Sequence, residues 1–203
     1  MNKQTDIRKL AYEPRLQFEG FHQRDKRWSA IVAHRRAGKT VACVNELVLR
    51  ALYSKKKNPR YAYIAPFYAQ AKNIAWEYLK EAALPFVNSM KDIRESDLSV
   101  KLFNGAVVRL YGADNIDALR GIYLDGVVLD EFGDCRPGLW AEVILPTLAD
   151  RKGWATIIGT PKGKNTFYHM LEMAKENPET WYYAELKASE TGIIDPEELA
   201  AMK

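Results

Sequence analysis

Short apolar runs recur along this chain, and segments with the periodicity of amphipathic helices lie between them. A short, nearly continuous apolar run is typical of a strand buried on both faces, as in a parallel sheet covered by helices. The alternation of such strands with helices predicts an α/β fold with a doubly wound sheet. The predicted strands are residues 30–33, 61–65, 107–111, 127–129, 155–158 and 182–186.

The clearest helical segment is 67–82, where apolar side chains recur at the spacing of one helix face. Further helices are predicted over 40–53, 139–149 and 166–175. An Asn104-Gly105 pair separates two strand-like runs and favours a tight hairpin turn. We therefore expect one domain with a mainly parallel sheet, helices on both faces and an added β-hairpin near 99–111.

The composition is that of a folded protein, with 203 residues, 47% apolar residues and a formal net charge of +4. These values exclude disordered, collagen-like and coiled-coil chains. Cys43, Cys135 and the three histidines match no zinc-binding pattern, so we expect reduced thiols. No apolar run has the length of a membrane span or the pattern of a signal peptide, which predicts a soluble intracellular protein without membrane contact.

The first predicted strand leads directly into His34-Arg35-Arg36-Ala37-Gly38-Lys39-Thr40, and a helix-compatible stretch follows. A strand, a loop with Gly-Lys-Thr and a helix form a phosphate-binding loop (P-loop), because backbone N–H groups and the helix N-terminus then converge on the phosphates. In such a loop Gly38 lets the backbone approach, Lys39 reaches the β- and γ-phosphates, and the Thr40 hydroxyl ligates Mg²⁺.

Two features of this loop leave alternatives open. Ala33 stands where the motif usually has its first glycine, so a helix that merely begins with Gly-Lys-Thr is the alternative interpretation. Arg35 and Arg36 both fit solvated charges. The Arg35 guanidinium, four residues before Lys39, also fits a ligand of the γ-phosphate.

Two carboxylates, Asp130 and Glu131, follow the apolar run 127–129. At the carboxyl end of a buried strand, Asp130 would hold Mg²⁺ through water and Glu131 would polarise an attacking water. The alternative is a helix N-cap or a surface turn. The second carboxylate favours nucleotide hydrolysis over nucleotide holding.

Four segments in this order resemble the large terminase subunit of tailed bacteriophages. They are residues 34–40, Leu119-Arg120-Gly121, Val128-Leu129-Asp130-Glu131 and Ile158-Gly159-Thr160-Pro161. The resemblance extends from Tyr12 to about Tyr183. It implies a P-loop ATPase of the additional-strand, catalytic-glutamate class that translocates double-stranded DNA into a procapsid.

The resemblance also implies roles for individual residues. Glu131, Arg120 and Arg35 would be catalytic, with Arg120 reaching the γ-phosphate of a neighbouring subunit, and Thr160 would couple hydrolysis to movement. Thr40 and Asp130 would hold Mg²⁺. ATP would be bound by Gln17, Arg35, Arg36, Ala37, Gly38, Lys39, Thr40 and Val41.

Several of these roles have plainer alternatives. Arg120 also fits a salt-bridging arginine at a turn, and Gly-Thr-Pro around Thr160 also fits a plain turn. Gln17 would pair with adenine while Phe18 or Phe21 stacks on it, but aromatic residues here fit the core equally well.

The partners implied by the resemblance are double-stranded DNA, a portal protein, a small terminase subunit and further copies of this chain in a ring, all in the host cell cytoplasm. Residues 1–188 would form the ATPase domain, and 189–203 would begin a linker to a nuclease domain. The family's nuclease domain does not fit within this chain, so no DNA cleavage is expected from it.

The DNA-gripping surface is not predicted, because the basic segments 55–60, 24–27 and Lys162 with Lys164 fit solvated charges as well as DNA contacts. Two other functions stay open: a helicase-like translocase, which normally needs a second P-loop domain, and a nucleotide-gated docking module. Glu131 favours a hydrolase over the docking module, because a pure nucleotide-gated switch needs no carboxylate positioned to activate water.

Overall fold

A computed structural model describes residues 11–201. Eight strands form one sheet in the order β3-β4-β5-β2-β6-β7-β1-β8. The strands β5, β2, β6, β7, β1 and β8 are parallel, while β3 and β4 are antiparallel to their neighbours. Their bounds are β1 Trp28–Ala33, β2 Arg60–Ala65, β3 Ile93–Arg94, β4 Ser99–Lys101, β5 Val107–Gly112, β6 Gly126–Leu129, β7 Trp154–Gly159 and β8 Trp181–Leu186.

Helices cover both faces of the sheet, as the alternating pattern predicted. One apolar core lies beneath α1, α2 and α3, and the second lies beneath α4 and α5. None of the described helices is long and apolar enough to cross a membrane. The α-helices are α1 Leu16–Gln23, α2 Lys39–Leu52, α3 Tyr68–Ala83, α4 Leu145–Ala149, α5 Thr166–Glu176, α6 Ala188–Thr191 and α7 Pro196–Ala201.

The predicted hairpin is confirmed as the β4–β5 pair, and β3 adds a second antiparallel strand. Gly105 takes a φ of +84°, a conformation that glycine adopts without strain. The Asn104 amide donates to the carbonyls of Ala51 and Leu52, so the turn is tied to the end of α2.

The helix predicted over 139–149 is only partly regular. Residues 139–144 form a π-helical turn, and the α-helix α4 begins at Leu145. The Leu145 N–H bonds to the Trp140 carbonyl, five residues back. Pro146 explains the wider turn, since its ring would clash with the carbonyl four residues earlier in a regular helix and it has no N–H to donate.

A buried ionic cluster joins α1 to α2. The Glu46 carboxylate accepts hydrogen bonds from Arg24 Nη1 at 2.7 Å, His22 Nδ1 at 2.8 Å and Arg50 Nε at 2.8 Å. Burial raises the pKa of Glu46, but the His22 hydrogen bond and the Arg24 charge outweigh it and bring it to about 2. Arg24 is buried here, so the possibility that it contacts DNA is wrong.

The strand order fixes where chemistry can occur. Strand β7 lies between β1 and β6 in a parallel array, so the chain leaves all three strands at the same edge of the sheet. The segments that follow them are the loop before α2, the Asp130–Glu131 pair and Thr160. Ligands of open parallel sheets bind at this carboxyl edge.

Candidate nucleotide-binding site

A cleft of about 700 Å³ opens at the carboxyl edge of β1, β6 and β7. We call it the P-loop cleft. It brings together most of the residues predicted from the sequence, including the phosphate loop, both carboxylates and Thr160. Its walls are Arg15, residues 35–41, Asn73, Ile74, Glu77, Tyr78, Asp130, Glu131 and Thr160.

The loop between β1 and α2 turns through two residues with positive φ. Gly38 caps α2 with a φ of +99°, and Arg36 also lies in the left-handed region at +65°. These positive φ values turn the chain so that it leads into the N-terminus of a fourteen-residue helix. Gly38, Lys39 and Thr40 thus lie at the cleft wall where β1 leads into α2, and their role in binding phosphate stays a prediction.

Arg15, which the sequence analysis missed, holds this loop from outside. Its Nη1 donates to the carbonyl of Ala37 at 2.9 Å and to that of Arg36 at 3.3 Å. Arg15 precedes α1 and lies more than twenty positions before these partners. No periodic or motif signal in the sequence indicates such a contact.

Lys39 is folded back against its own loop. Its Nζ donates to the carbonyl of Ala33 at 2.9 Å and to that of His34 at 3.2 Å. Burial lowers the pKa of Lys39, and the charges of Glu131 and Asp130 act in the opposite direction. The ammonium group is therefore at the cleft wall, close to where the N–H groups of α2 begin.

Asp130 lies at the end of β6 and is 3% exposed. Its Oδ2 accepts a hydrogen bond from the Tyr63 hydroxyl at 2.5 Å, and its Oδ1 accepts one from the Glu131 N–H at 2.9 Å. Burial raises the pKa of Asp130, and the Tyr63 bond lowers it. Tyr63 is a second residue that the sequence analysis missed.

The oxygens of Thr40 and Asp130 fit Mg²⁺. Thr40 lies close enough to interact with the Tyr63 hydroxyl that binds Asp130, so the two predicted metal ligands face the same small region. A hydroxyl and one carboxylate are hard oxygen donors, and Mg²⁺ usually keeps several waters beside so few protein ligands.

Glu131 follows directly with a φ of +42°, which is unusual for a residue with a side chain. Its Oε2 accepts hydrogen bonds from the Thr160 hydroxyl at 2.9 Å and the Thr160 N–H at 3.3 Å. The predicted catalytic glutamate and the predicted coupling residue are therefore in direct contact. The residue after β7 therefore lies at the cleft wall, and the coupling role of Thr160 stays a prediction.

Arg120 lies outside the P-loop cleft. Its side chain is 63% exposed and lies 3.6 Å from Asp117. It belongs to the connection between β5 and β6 and lines a separate depression with Glu142 and Pro146. Its predicted catalytic role stays a prediction, and within one chain it reaches no residue of the cleft wall.

The adenine-recognition prediction is not supported by the placement of its residues. The Gln17 amide donates to the Thr191 carbonyl at 2.8 Å, and Gln17 is absent from the cleft wall. Phe18 and Phe21 are fully buried in the core beneath α1, so the idea that they stack on adenine is wrong. Their apolar rings hold α1 against the sheet.

The comparisons with known proteins agree with this geometry. A family model described as the terminase large subunit, T4likevirus-type, N-terminal, matches residues 30–198. The terminase large subunit of Thermus phage G20c is 52% identical over 61 residues, which span 30% of this chain and only 13% of that protein.

Solved structures extend the likeness to the fold. The large terminase ATPase domain of Thermus phage P74-26 has a TM-score of 0.67 and 26% identity, covering 88% of this chain and 82% of that one. The large terminase of the thermophilic bacteriophage D6E, in complex with ATP-gamma-S, has a TM-score of 0.67 at 13% identity. It covers 88% of this chain and 44% of that chain, and shows a shared P-loop NTPase fold. With the family model matching most of its length, the chain belongs to the family of terminase large subunit N-terminal domains.

Proposed function

We propose that this chain hydrolyses ATP and that the hydrolysis drives double-stranded DNA into a procapsid. The observation that carries the proposal is the Asp130–Glu131 pair at the wall of the same cleft as the P-loop. Binding a nucleotide without hydrolysing it requires only the P-loop and a metal ligand. Glu131, a second carboxylate beside the first, serves a hydrolytic step.

Each residue has a defined task in this proposal. Lys39 exchanges its backbone carbonyl partners for phosphate oxygens, and the N–H groups at the start of α2 bind the same phosphates. Thr40 and Asp130 hold Mg²⁺, which neutralises charge on the phosphates. Arg35, exposed at the rim of the cleft, adds a guanidinium near the γ-phosphate.

Glu131 orients a water for attack on the γ-phosphorus. A bond forms from the water oxygen to phosphorus, the bond to the bridging oxygen breaks, and ADP leaves with the electron pair. The water proton passes to the Glu131 carboxylate and from there to solvent or phosphate. Thr160, bonded to this carboxylate, senses the change and moves the loop after β7.

The partners follow from the family and are part of the proposal. We infer that the chain acts with a portal protein, a small terminase subunit and other copies of itself in a ring, in the host cell cytoplasm. The exposure of Arg120, away from its own cleft, supports a role at the cleft of a neighbour. A finger of this kind is worth about 10³- to 10⁵-fold in rate.

We also propose that residues 1–188 are the motor domain and that α6 and α7 begin the connection to a further domain. Residues Pro196–Ala201 within this segment form the helix α7. Within the basic segment 55–60, Lys56 has no DNA role in this proposal, because its ammonium lies 3.0 Å from the buried carboxylate of Asp125.

The decisive experiment is the ATP hydrolysis rate per subunit over a wide range of protein concentration. Glu131→Gln is the blank, and Arg120→Ala is measured alongside. A rate that rises with concentration and collapses in both variants supports a hydrolase completed by a neighbour. A rate per subunit that is independent of concentration and unchanged in Arg120→Ala would mean that the active site is complete within one chain. Tight ATP binding without turnover would instead favour the nucleotide-gated module.

A further inference from the structure

We propose that Lys162, anchored by Asp134, is a positioning residue that fixes the Glu131 carboxylate at the wall of the P-loop cleft. The proposal rests on the function proposed above, because it concerns the residue that orients water. Lys162 stands two positions after Thr160 and was considered in the sequence only as a surface charge or a DNA contact.

The contacts of Lys162 place it between two acids. Its Nζ donates to Asp134 Oδ2 at 2.5 Å and lies 3.8 Å from Glu131 Oε2. The Asp134 hydrogen bond is the main cause of the raised pKa of Lys162, so the ammonium stays charged. A cation held by two carboxylates is a poor candidate for gripping the phosphates of DNA.

Three contacts converge on one oxygen of Glu131. The Thr160 hydroxyl and N–H donate to Oε2, and the Lys162 ammonium approaches the same atom. The two Thr160 bonds fix the direction of the carboxylate. The nearby cation lowers the cost of placing the negative charge of Glu131 beside the buried Asp130.

Asp134 connects this arrangement to the strand that carries the catalytic pair. Residues 132–134 form a single helical turn in which the Asp134 N–H donates to the Glu131 carbonyl at 2.8 Å. The same aspartate therefore contacts the backbone of Glu131 and the ammonium that faces its side chain. A shift of the loop after β7 must move Lys162 and thereby act on Glu131.

Asn165 limits the freedom of the loop at its far end. Its side-chain oxygen accepts from the Tyr168 N–H and caps α5, while its amide nitrogen lies 3.5 Å from the Gly133 carbonyl. A side chain at Gly133 would meet this amide at 2.4 Å, so the two segments are in close contact. Lys162 thus lies on a loop held at both ends, as a positioning residue requires.

The test compares Lys162→Met with Lys164→Met, since Lys164 is an exposed lysine on the same loop. We expect Lys162→Met to lower kcat about tenfold with KM for ATP unchanged, because the carboxylate loses its fixed position and the phosphate ligands remain. Lys162→Arg should recover most of the rate, and Lys164→Met should match wild type. A wild-type kcat in Lys162→Met, or a change confined to KM, would overturn the proposal.

A double variant tests the anchor. If Lys162 acts through Asp134, then Asp134→Asn lowers kcat as well, and Lys162→Met with Asp134→Asn is no slower than the slower single variant. Multiplying effects would mean that the two residues act separately and would overturn the anchoring role of Asp134.

A readout independent of turnover separates this inference from the proposed function. Amide hydrogen exchange at Thr160 reports the bond from its N–H to Glu131. We expect exchange about tenfold faster in Lys162→Met and unchanged in Lys164→Met. If the wild-type protein does not hydrolyse ATP, the proposed function is wrong, but the exchange rate of the Thr160 amide still tests the role of Lys162. Equal exchange rates in the wild type and both variants would overturn that role.

Discussion

The Tyr63 hydroxyl donates a hydrogen bond to the carboxylate of Asp130, the predicted metal ligand. Asp130 is buried, so the hydrogen bond from Tyr63 replaces one that water would otherwise supply. The sequence identified Asp130 from its place after an apolar run. Tyr63 lies in the middle of another strand, where a tyrosine is ordinary, so only the packing of β2 against β6 identifies it.

Replacing Tyr63 with Phe should weaken both the fold and the metal site. We expect a loss of about 1–3 kcal/mol in the free energy of unfolding, because the buried Oδ2 of Asp130 loses the hydrogen bond from the Tyr63 hydroxyl. The Mg²⁺ affinity of the nucleotide complex should fall about tenfold, the usual effect of removing a partner behind a metal ligand. Urea unfolding and Mg²⁺ titrations of nucleotide binding measure the two.

Tyr61→Phe is the matched control, since this tyrosine is on the same strand and its hydroxyl bonds to the Arg50 carbonyl instead. It should leave the Mg²⁺ affinity unchanged. Equal losses of Mg²⁺ affinity in both variants would contradict a specific role for Tyr63.

The Glu46 cluster gives a prediction about pH. The pKa of Glu46 is about 2 in the folded chain, below its ordinary value of 4.5. A lowered folded-state pKa stabilises the fold above the unfolded-state pKa, and this contribution disappears as pH falls from 4.5 towards 2. Glu46→Gln should lower the free energy of unfolding at pH 7 by about 3–5 kcal/mol, because Arg24 is left buried without its acid.

Urea unfolding at several pH values measures this, with Glu81→Gln as the control because Glu81 is an exposed glutamate on α3. The wild-type protein and the control should lose stability in parallel between pH 4.5 and 2. A Glu46→Gln variant with the same acid dependence as wild type would show that the cluster contributes nothing to it.

At the scale of elements, the backbone of β6 at Gly126 lies close to the Trp154 ring on β7. A side chain at Gly126, the first residue of β6, would meet the indole ring of Trp154 at 2.3 Å. The Trp154 ring also packs near Tyr61 and lies beside the guanidinium groups of Arg24 and Arg50. The ring therefore has little room to move away.

We expect Gly126→Ala to destabilise the fold by about 1–3 kcal/mol, the usual cost of adding a group to a packed interior. Adding Trp154→Phe should recover part of this loss, because the atoms in the way belong to the indole. Urea unfolding of the single and double variants measures both. Equal or greater loss in the double variant would mean that β6 is not limited by this contact.

The elements themselves were largely predictable from the sequence, because periodicity and turn residues are local signals. The six parallel strands and the hairpin at Asn104-Gly105 follow from such signals. The π-helical turn before Pro146 was missed because the apolar pattern of 139–149 suits either helix type. The turn forms because the Pro146 ring would clash with the carbonyl four residues earlier in a regular helix, and the hydrophobic pattern of the sequence does not show this clash.

At the scale of the whole molecule, the sequence motifs predicted the residues at the P-loop and the acidic strand end, but not the residues that hold them in place. Lys39, Asp130 and Glu131 carry recognisable neighbours in the sequence, and the sheet brings them to one edge. Arg15 and Lys162 act through contacts between distant segments, which one sequence does not reveal. Gln17 matched a motif, yet its amide is bonded to Thr191.

Nucleotide binding should stabilise the whole fold, because only the folded chain assembles the cleft. At a free MgATP concentration of 100 times Kd, the free energy of unfolding should rise by about 2.7 kcal/mol. Lys39→Ala should abolish the rise, while Lys164→Met should retain it. Thermal or urea unfolding with and without MgATP measures this, and a rise that survives Lys39→Ala would place the nucleotide elsewhere.

The inward fold of the Lys39 side chain also bears on how the chain selects among anions. Two backbone carbonyls accept hydrogen bonds from two of the three N–H groups of the ammonium, so a ligand that needs more than one of these donors must displace a carbonyl. In the function proposed above, inorganic phosphate would replace these bonds with few others, whereas a triphosphate would also bind the start of α2 and the Mg²⁺ ion. In that function, the loop would favour a ligand that forms many contacts over the simple anions that are abundant in any cell.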